Sequence, residues 1–253
     1  MTGNEQVSSL SIGIVLFPNV TQLDFTGPYE VFAKLPNVQL YLLAETLEPI
    51  RSDCGLTFLP DTTFAQAPAL DVLFVPGGPG INAKMEDPKF LDFLKTQAKQ
   101  ARYITSVCTG SLLLAAAGLL QGYRATTHWR SLDLLEMLGV ETVSERVVID
   151  RNRITGGGVT AGIDFGLALA AELFGEAMST TGYAYAQAIQ LGIEYNPQPP
   201  FNSGSPQTAP AAVLAQVTAA SQNVQEIRRQ IVQRVVTQLQ TANISKAVEN
   251  LAS

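Results

Sequence analysis

Tyr103-Ile104-Thr105-Ser106-Val107-Cys108-Thr109-Gly110-Ser111 is the stretch on which the fold turns. Tyr103–Val107 is a short, β-branched apolar run, the signature of a buried strand. It stops at a cysteine, and Ser111–Ala117 then reads as a helix ended by Gly118. A strand that passes at once into a helix, with a nucleophile-type residue at the turn and glycine two positions later, is the context of a nucleophile elbow. Working outward, Ile12–Phe17, Val38–Ala44 and Asp71–Val75 read as further apolar strands. Between and after them fall helical patterns: Tyr29–Leu35, entered through Gly27-Pro28; Asp87–Ala101, with Pro88 in its first turn and Phe90, Leu91, Leu94 and Ala98 on one face; Arg130–Leu138, ended by Gly139; Ile163–Phe174; and Glu176–Ile193. Asn19–Pro28 reads as a loop. Strands alternating with helices imply an α/β fold with a parallel sheet covered on both faces.

Composition narrows the function classes. The chain has 253 residues, 46% of them hydrophobic and 15% charged, with a net charge of −6. That excludes a disordered chain, and the acidic balance argues against nucleic-acid binding. No apolar run is long enough to span a membrane, and Met1–Ser9 lacks the basic and apolar regions of a signal peptide. Cys54 and Cys108 are the only cysteines and His128 the only histidine. A disulfide scaffold and a zinc site are therefore discounted, and a reduced, cytoplasmic setting is expected. Residues 1–195 are expected to form the α/β domain. Residues 196–210, with five prolines, form an extended linker. Residues 211–253 are a helical extension, with an apolar stripe of Val224, Ile227, Ile231, Val235 and Leu239 over Asn223–Val248, packing on the domain or on a partner subunit.

Four features carry chemistry. Cys108 at a helix start should have its thiol pKa lowered by the unpaired N–H groups there, and so be the more reactive thiol; a buried core cysteine is the plain alternative. Pro76-Gly77-Gly78-Pro79-Gly80 follows a strand at the edge where ligands bind in open α/β sheets, and it offers N–H groups to an anion. Asp24, beyond the first strand, is either a helix-capping carboxylate or a group converging on Cys108, if the strands before them are neighbours. His128, in Thr126-Thr127-His128-Trp129, is either a base for Cys108 or a structural histidine. Gly156-Gly157-Gly158 is expected to lie against the elbow. Cys54 has no helix start beside it and reads as structural.

Taken together, Leu23-Asp24-Phe25-Thr26-Gly27-Pro28, Pro76-Gly77-Gly78, Val107-Cys108-Thr109-Gly110 and Ala125-Thr126-Thr127-His128-Trp129 resemble the signature set of the ThiJ/PfpI superfamily, over residues 12 to about 193. The resemblance implies a flavodoxin-like three-layer sandwich with a mostly parallel sheet, and a homodimer. Within the superfamily the set looks like that of the bacterial isonitrile hydratases, which implies a cofactor-independent lyase acting on a small isonitrile. Cys108, Asp24 and Thr109 would be catalytic, and Gly77, Gly78, His128 and Gly157 would bind substrate or an oxyanion. Thr109 stands where protease-like members carry histidine. The segment after Pro210 is too short for the helix-turn-helix module that a regulatory branch carries. A redox or small-ligand sensor, or a glyoxalase- or amidase-like enzyme, are the alternatives.

Overall fold

Apolar runs that bury both faces build the centre of the molecule. A computed structural model describes residues 9–175 and 182–252; Met1–Ser8 and the first six residues of the expected Glu176–Ile193 helix lie outside them. The strands are β1 (Leu10–Val15), β2 (Val38–Ala44), β3 (Thr62–Thr63), β4 (Val72–Val75), β5 (Tyr103–Val107), β6 (Val147–Asp150) and β7 (Arg153–Gly156). They form one sheet in the order β6-β7-β5-β4-β1-β2-β3. All pairings are parallel except β6 with β7. The strands β4, β5 and β7 are buried at every residue, as expected where helices cover both faces.

The helices are α1 (Gln22–Phe32), α2 (Ile81–Lys84), α3 (Pro88–Ala98), α4 (Gly110–Ala116), α5 (Leu132–Met137), α6 (Ala161–Gly175), α7 (Gly182–Gly192) and α8 (Ala211–Ala252). Helices α1, α6 and α7 pack together as one layer, and α3, α4, α5 and α8 as another. Phe32 of α1, Phe74 of β4 and Phe165 of α6 meet through their rings, locking α1 and α6 to the sheet.

Two expectations are corrected. The stretch Asn19–Pro28 is not all loop: α1 begins at Gln22, so Asp24 is in its first turn and Pro28 is inside the helix. Pro28 removes only the bond that its missing N–H would have given to the Asp24 carbonyl, and its ring packs closely over Gly162 of α6. The strands before Asp24 and Cys108 are not neighbours, because β4 lies between β1 and β5. The loop after β4 therefore runs between the two segments, with Gly77 against both Asp24 and Thr109. Helix α8 runs over Ala211–Ala252. It lays Ile231, Val232 and Val235 on its own α/β body, while Val224 and Ile227 stay exposed. Arg234 forks onto Glu86 (2.7 and 2.8 Å) and Arg229 reaches Asp133, tying the helix down.

Candidate active site

The elbow is made by backbone strain that its surroundings enforce. Cys108 has φ +57°, a left-handed conformation uncommon for a residue with a side chain. Its N–H donates to the carbonyls of Gly156 (3.0 Å) and Gly157 (2.8 Å). Its carbonyl accepts from the Thr127 hydroxyl at 2.8 Å. Behind it a buried chain runs from Ser106 to Ser111 (2.9 Å) and on to the Thr126 carbonyl (2.6 Å), while the Thr126 N–H donates to Thr155 (2.9 Å). Gly110 has to be glycine: a Cβ there would lie 2.1 Å from the Val75 carbonyl oxygen.

Asp24 is fully buried. Its Oδ2 accepts the Gly77 N–H at 2.9 Å, while its buried Oδ1 has no hydrogen-bond partner. Gly77 allows this approach, since a Cβ would come within 2.5 Å of the Thr109 nitrogen and 2.9 Å of Asp24 Oδ2. The neighbouring Gly78 N–H donates to Thr109 Oγ1 at 3.0 Å. One two-residue glycine turn thus aligns the acid from α1 with the threonine after the cysteine.

Burial dominates the electrostatics. It raises the Asp24 pKa to about 7 against the lowering effects of the Gly77 N–H and the Cys108 thiol, with the Asp53 charge adding slightly to the rise. Cys108 is only 5% exposed. Burial first, and then the Asp24 carboxylate, push its thiol well above the ordinary range, although the Val159 and Thr109 backbone N–H groups hold the sulfur and oppose the rise. The expected lowering by the helix start is therefore overturned. Two peptide N–H groups do not offset removal from water beside a carboxylate, and the resting group is a thiol. Burial, assisted by the positive charges of Arg228 and Arg130, holds His128 down to about 4. Its Nδ1 accepts the Arg130 N–H at 3.2 Å, so the neutral ring carries its proton on Nε2.

The structure brings Asp24, Gly77, Gly78, Cys108 and Thr109 together and lays Gly157 against the elbow. It does not leave the glycine N–H groups free for an oxyanion. Gly77 serves Asp24, Gly78 serves Thr109, and the Gly157 N–H donates to the Arg146 carbonyl at 2.9 Å. His128 makes no hydrogen bond to Cys108; its ring faces Gly158. Cys54 is exposed, its sulfur 3.3 Å from the Ser52 hydroxyl. Sequence reasoning missed Val159 and Arg228. The backbone N–H of Val159 carries no residue-type signal. Arg228 is one of several arginines in the segment after Pro210, and its sequence neighbours do not distinguish it. A cleft of about 270 Å³ opens beside Gly157 and Gly158, walled by Thr127, Trp129, Arg146 and Pro206 of the linker. A larger cleft of about 480 Å³ under α8 contains none of the site residues.

A parallel sheet ending in a strained cysteine elbow, with an acid facing the sulfur, defines a class, and residues 10–172 match the model of the DJ-1/PfpI family. The chain belongs to that family. Among individual proteins, it is 53% identical over 231 residues to the isonitrile hydratase of Pseudomonas putida, covering 91% of this chain and 98% of that one. The crystal structure of a ThiJ/PfpI family protein from Pseudomonas syringae matches it with a TM-score of 0.83 and 42% identity, covering 89% and 91% of the two chains. It is 36% identical over 177 residues to the transcriptional regulator GbdR of Pseudomonas aeruginosa, of which it spans 48%. Where a helix-turn-helix would need two helices, α8 is one continuous helix.

Proposed function

We propose that the protein is an isonitrile hydratase, adding water to R–N≡C to give the formamide R–NH–CHO. What supports this is the near-full-length likeness to the P. putida enzyme of that name, joined to a fully buried acid whose pKa lies at the working range beside a thiol. Above pH about 7, Asp24 is a carboxylate and takes the Cys108 proton. The sulfur, held by the Val159 and Thr109 N–H groups, attacks the terminal isonitrile carbon, and the acid form of Asp24 returns the proton to that carbon. The product is a thioimidate, Cys–S–CH=N–R. Asp24 then takes a proton from water as it adds to the same carbon. Asp24 passes that proton to the nitrogen, and as the C–S bond breaks the hydroxyl proton of the adduct returns through Asp24 to the sulfur, releasing the formamide and restoring the thiol. Thr109 holds the glycine turn that aims Asp24. No step needs a cofactor.

A redox sensor fits the site less well, because such cysteines are exposed and low in pKa, whereas Cys108 is buried and raised. Homodimer formation and a cytoplasmic location belong to the same proposal; both described cysteines are free, in keeping with the latter. The test is incubation with cyclohexyl isocyanide, following N-cyclohexylformamide. Turnover is expected from the wild type and none from Cys108→Ala at unchanged melting temperature. Formamide formation by Cys108→Ala at the wild-type rate would sink the mechanism, and absence of turnover by the wild type the function.

A further inference from the structure

Arg228 is one of three charged side chains buried among the described residues, with Asp24 and Arg153, and the one that the C-terminal helix supplies. It is only 5% exposed, and its partners are both neutral. Nε donates to Asn82 Oδ1 at 2.9 Å and Nη1 to the Ser131 hydroxyl at 3.4 Å. No carboxylate pairs with it among the described residues, whereas Arg229 and Arg234 on the same helix each hold one. A buried cation without an anion is costly and is ordinarily paired. Its two tethers say where it points. Asn82 lies in α2, directly after the glycine turn that holds Asp24 and Thr109. Ser131 follows the His128 loop, and its N–H donates to the His128 carbonyl at 2.8 Å. The guanidinium thus bridges two segments that flank the elbow. The guanidinium is in electrostatic reach of Cys108 and of His128, which also feels Arg130 from its own loop; Cys108 in turn faces Asp24 of α1, on which Asp53 acts. Cys108 is the group whose charge favours that of Arg228.

We propose that Arg228 is a positioning residue of the active site, supplied by the C-terminal helix as the positive charge that balances the Cys108 thiolate each time its proton moves to Asp24. The inference rests on Cys108 being the reacting thiol. In the resting thiol state the negative charge of the site is on the Asp24 carboxylate; once the proton has moved it is on the sulfur, which then forms a separated pair with the guanidinium in a site closed to water. The arrangement lowers the cost of making the nucleophile rather than binding substrate, so its loss should appear in kcat and leave KM largely unchanged.

The experiment measures iodoacetamide alkylation of Cys108 by peptide mass spectrometry between pH 7 and 10, with exposed Cys54 as the internal reference in the same chain. An opposite charge beside a titrating group is worth about one pH unit or more, so Arg228→Met should slow Cys108 by about tenfold at every pH. Cys54 should be unaffected. Arg228→Lys, which keeps the charge, should recover most of the rate. Asn82→Ala, which keeps the arginine but frees its aim, should give a smaller loss in the same direction. An unchanged Cys108 rate in Arg228→Met, or a Lys variant as slow as the Met variant, overturns the proposal. If Arg228→Met does not fold, the Asn82→Ala rate decides alone, and a wild-type value there overturns it. No isonitrile takes part, so a wild type that alkylates as expected but forms no formamide would refute the hydratase reading and leave this one standing.

Discussion

Replacing Asp24 by asparagine should stop turnover and stabilise the fold, in a pH-dependent way that the geometry fixes. The amide keeps an oxygen to accept the Gly77 N–H and carries no charge at any pH. In the wild type the carboxyl is raised from 3.8 to about 7, so the folded protein holds this proton more tightly than the unfolded chain. That contribution to stability is complete below pH about 4, is lost as pH rises to about 7, and stays lost above it. A rise from 3.8 to about 7 corresponds to about 4 kcal/mol at 1.36 kcal/mol per unit. Asp24→Asn should therefore exceed the wild type by up to about 4 kcal/mol at pH 8, with the advantage vanishing near pH 4. His128 contributes the opposite slope. Its pKa is lowered from 6.5 to about 4, so its contribution is present above 6.5 and lost as pH falls towards 4. The two slopes offset each other in the wild type, and the variant-minus-wild-type difference isolates Asp24. Urea unfolding at pH 4.5, 6 and 8 supplies that difference, and formamide formation should fall by about 10²–10⁴-fold. A stability difference that stays constant with pH, or near-normal turnover, would refute an acid buried at the cost of its charge.

Thr109→Val leaves the buried Gly78 N–H without its acceptor and should cost about 1–3 kcal/mol in chemical unfolding as well as activity; Thr109→Ser keeps the hydroxyl and should recover both. The pH profile of kcat/KM should rise to a plateau through pH about 7, as Asp24 becomes able to take the thiol proton. Since His128 is neutral above about 4, His128→Gln should leave that inflection in place; its displacement would assign the base to histidine.

The strands were the legible part of this chain. Val38–Ala44 and Tyr103–Val107 have the boundaries expected from their apolar runs; Tyr103–Val107 is buried at every residue, and a parallel strand buried on both faces shows its whole length as hydrophobicity. Strands β6 and β7 escaped, since Val147–Gly156 is broken by Asp150, Arg151, Asn152 and Arg153 and belongs to an antiparallel edge. The start of α1 was hidden by Pro28, which reads as a helix beginning and is in fact a helix interior. At the site, the residue types were legible and the protonation state was not. Cys108 at a helix start looks acidic until the burial around it is known, and burial is a property of the assembled layers. Arg228 was unreadable for a related reason: its partners, Asn82 and Ser131, are 146 and 97 residues away in the chain.

That separation governs when the thiol becomes chemically competent. The acid, the glycine turn, the elbow, the Gly156–Val159 backbone and the guanidinium enter the chain in that order, with Arg228 last. During synthesis on a ribosome the elbow can close before α8 has left the exit tunnel. The cysteine then faces its acid without the cation that makes charge separation inexpensive. A nascent chain in that state would carry a folded sheet and a quiet sulfur, and docking of the final helix would be the event that arms it.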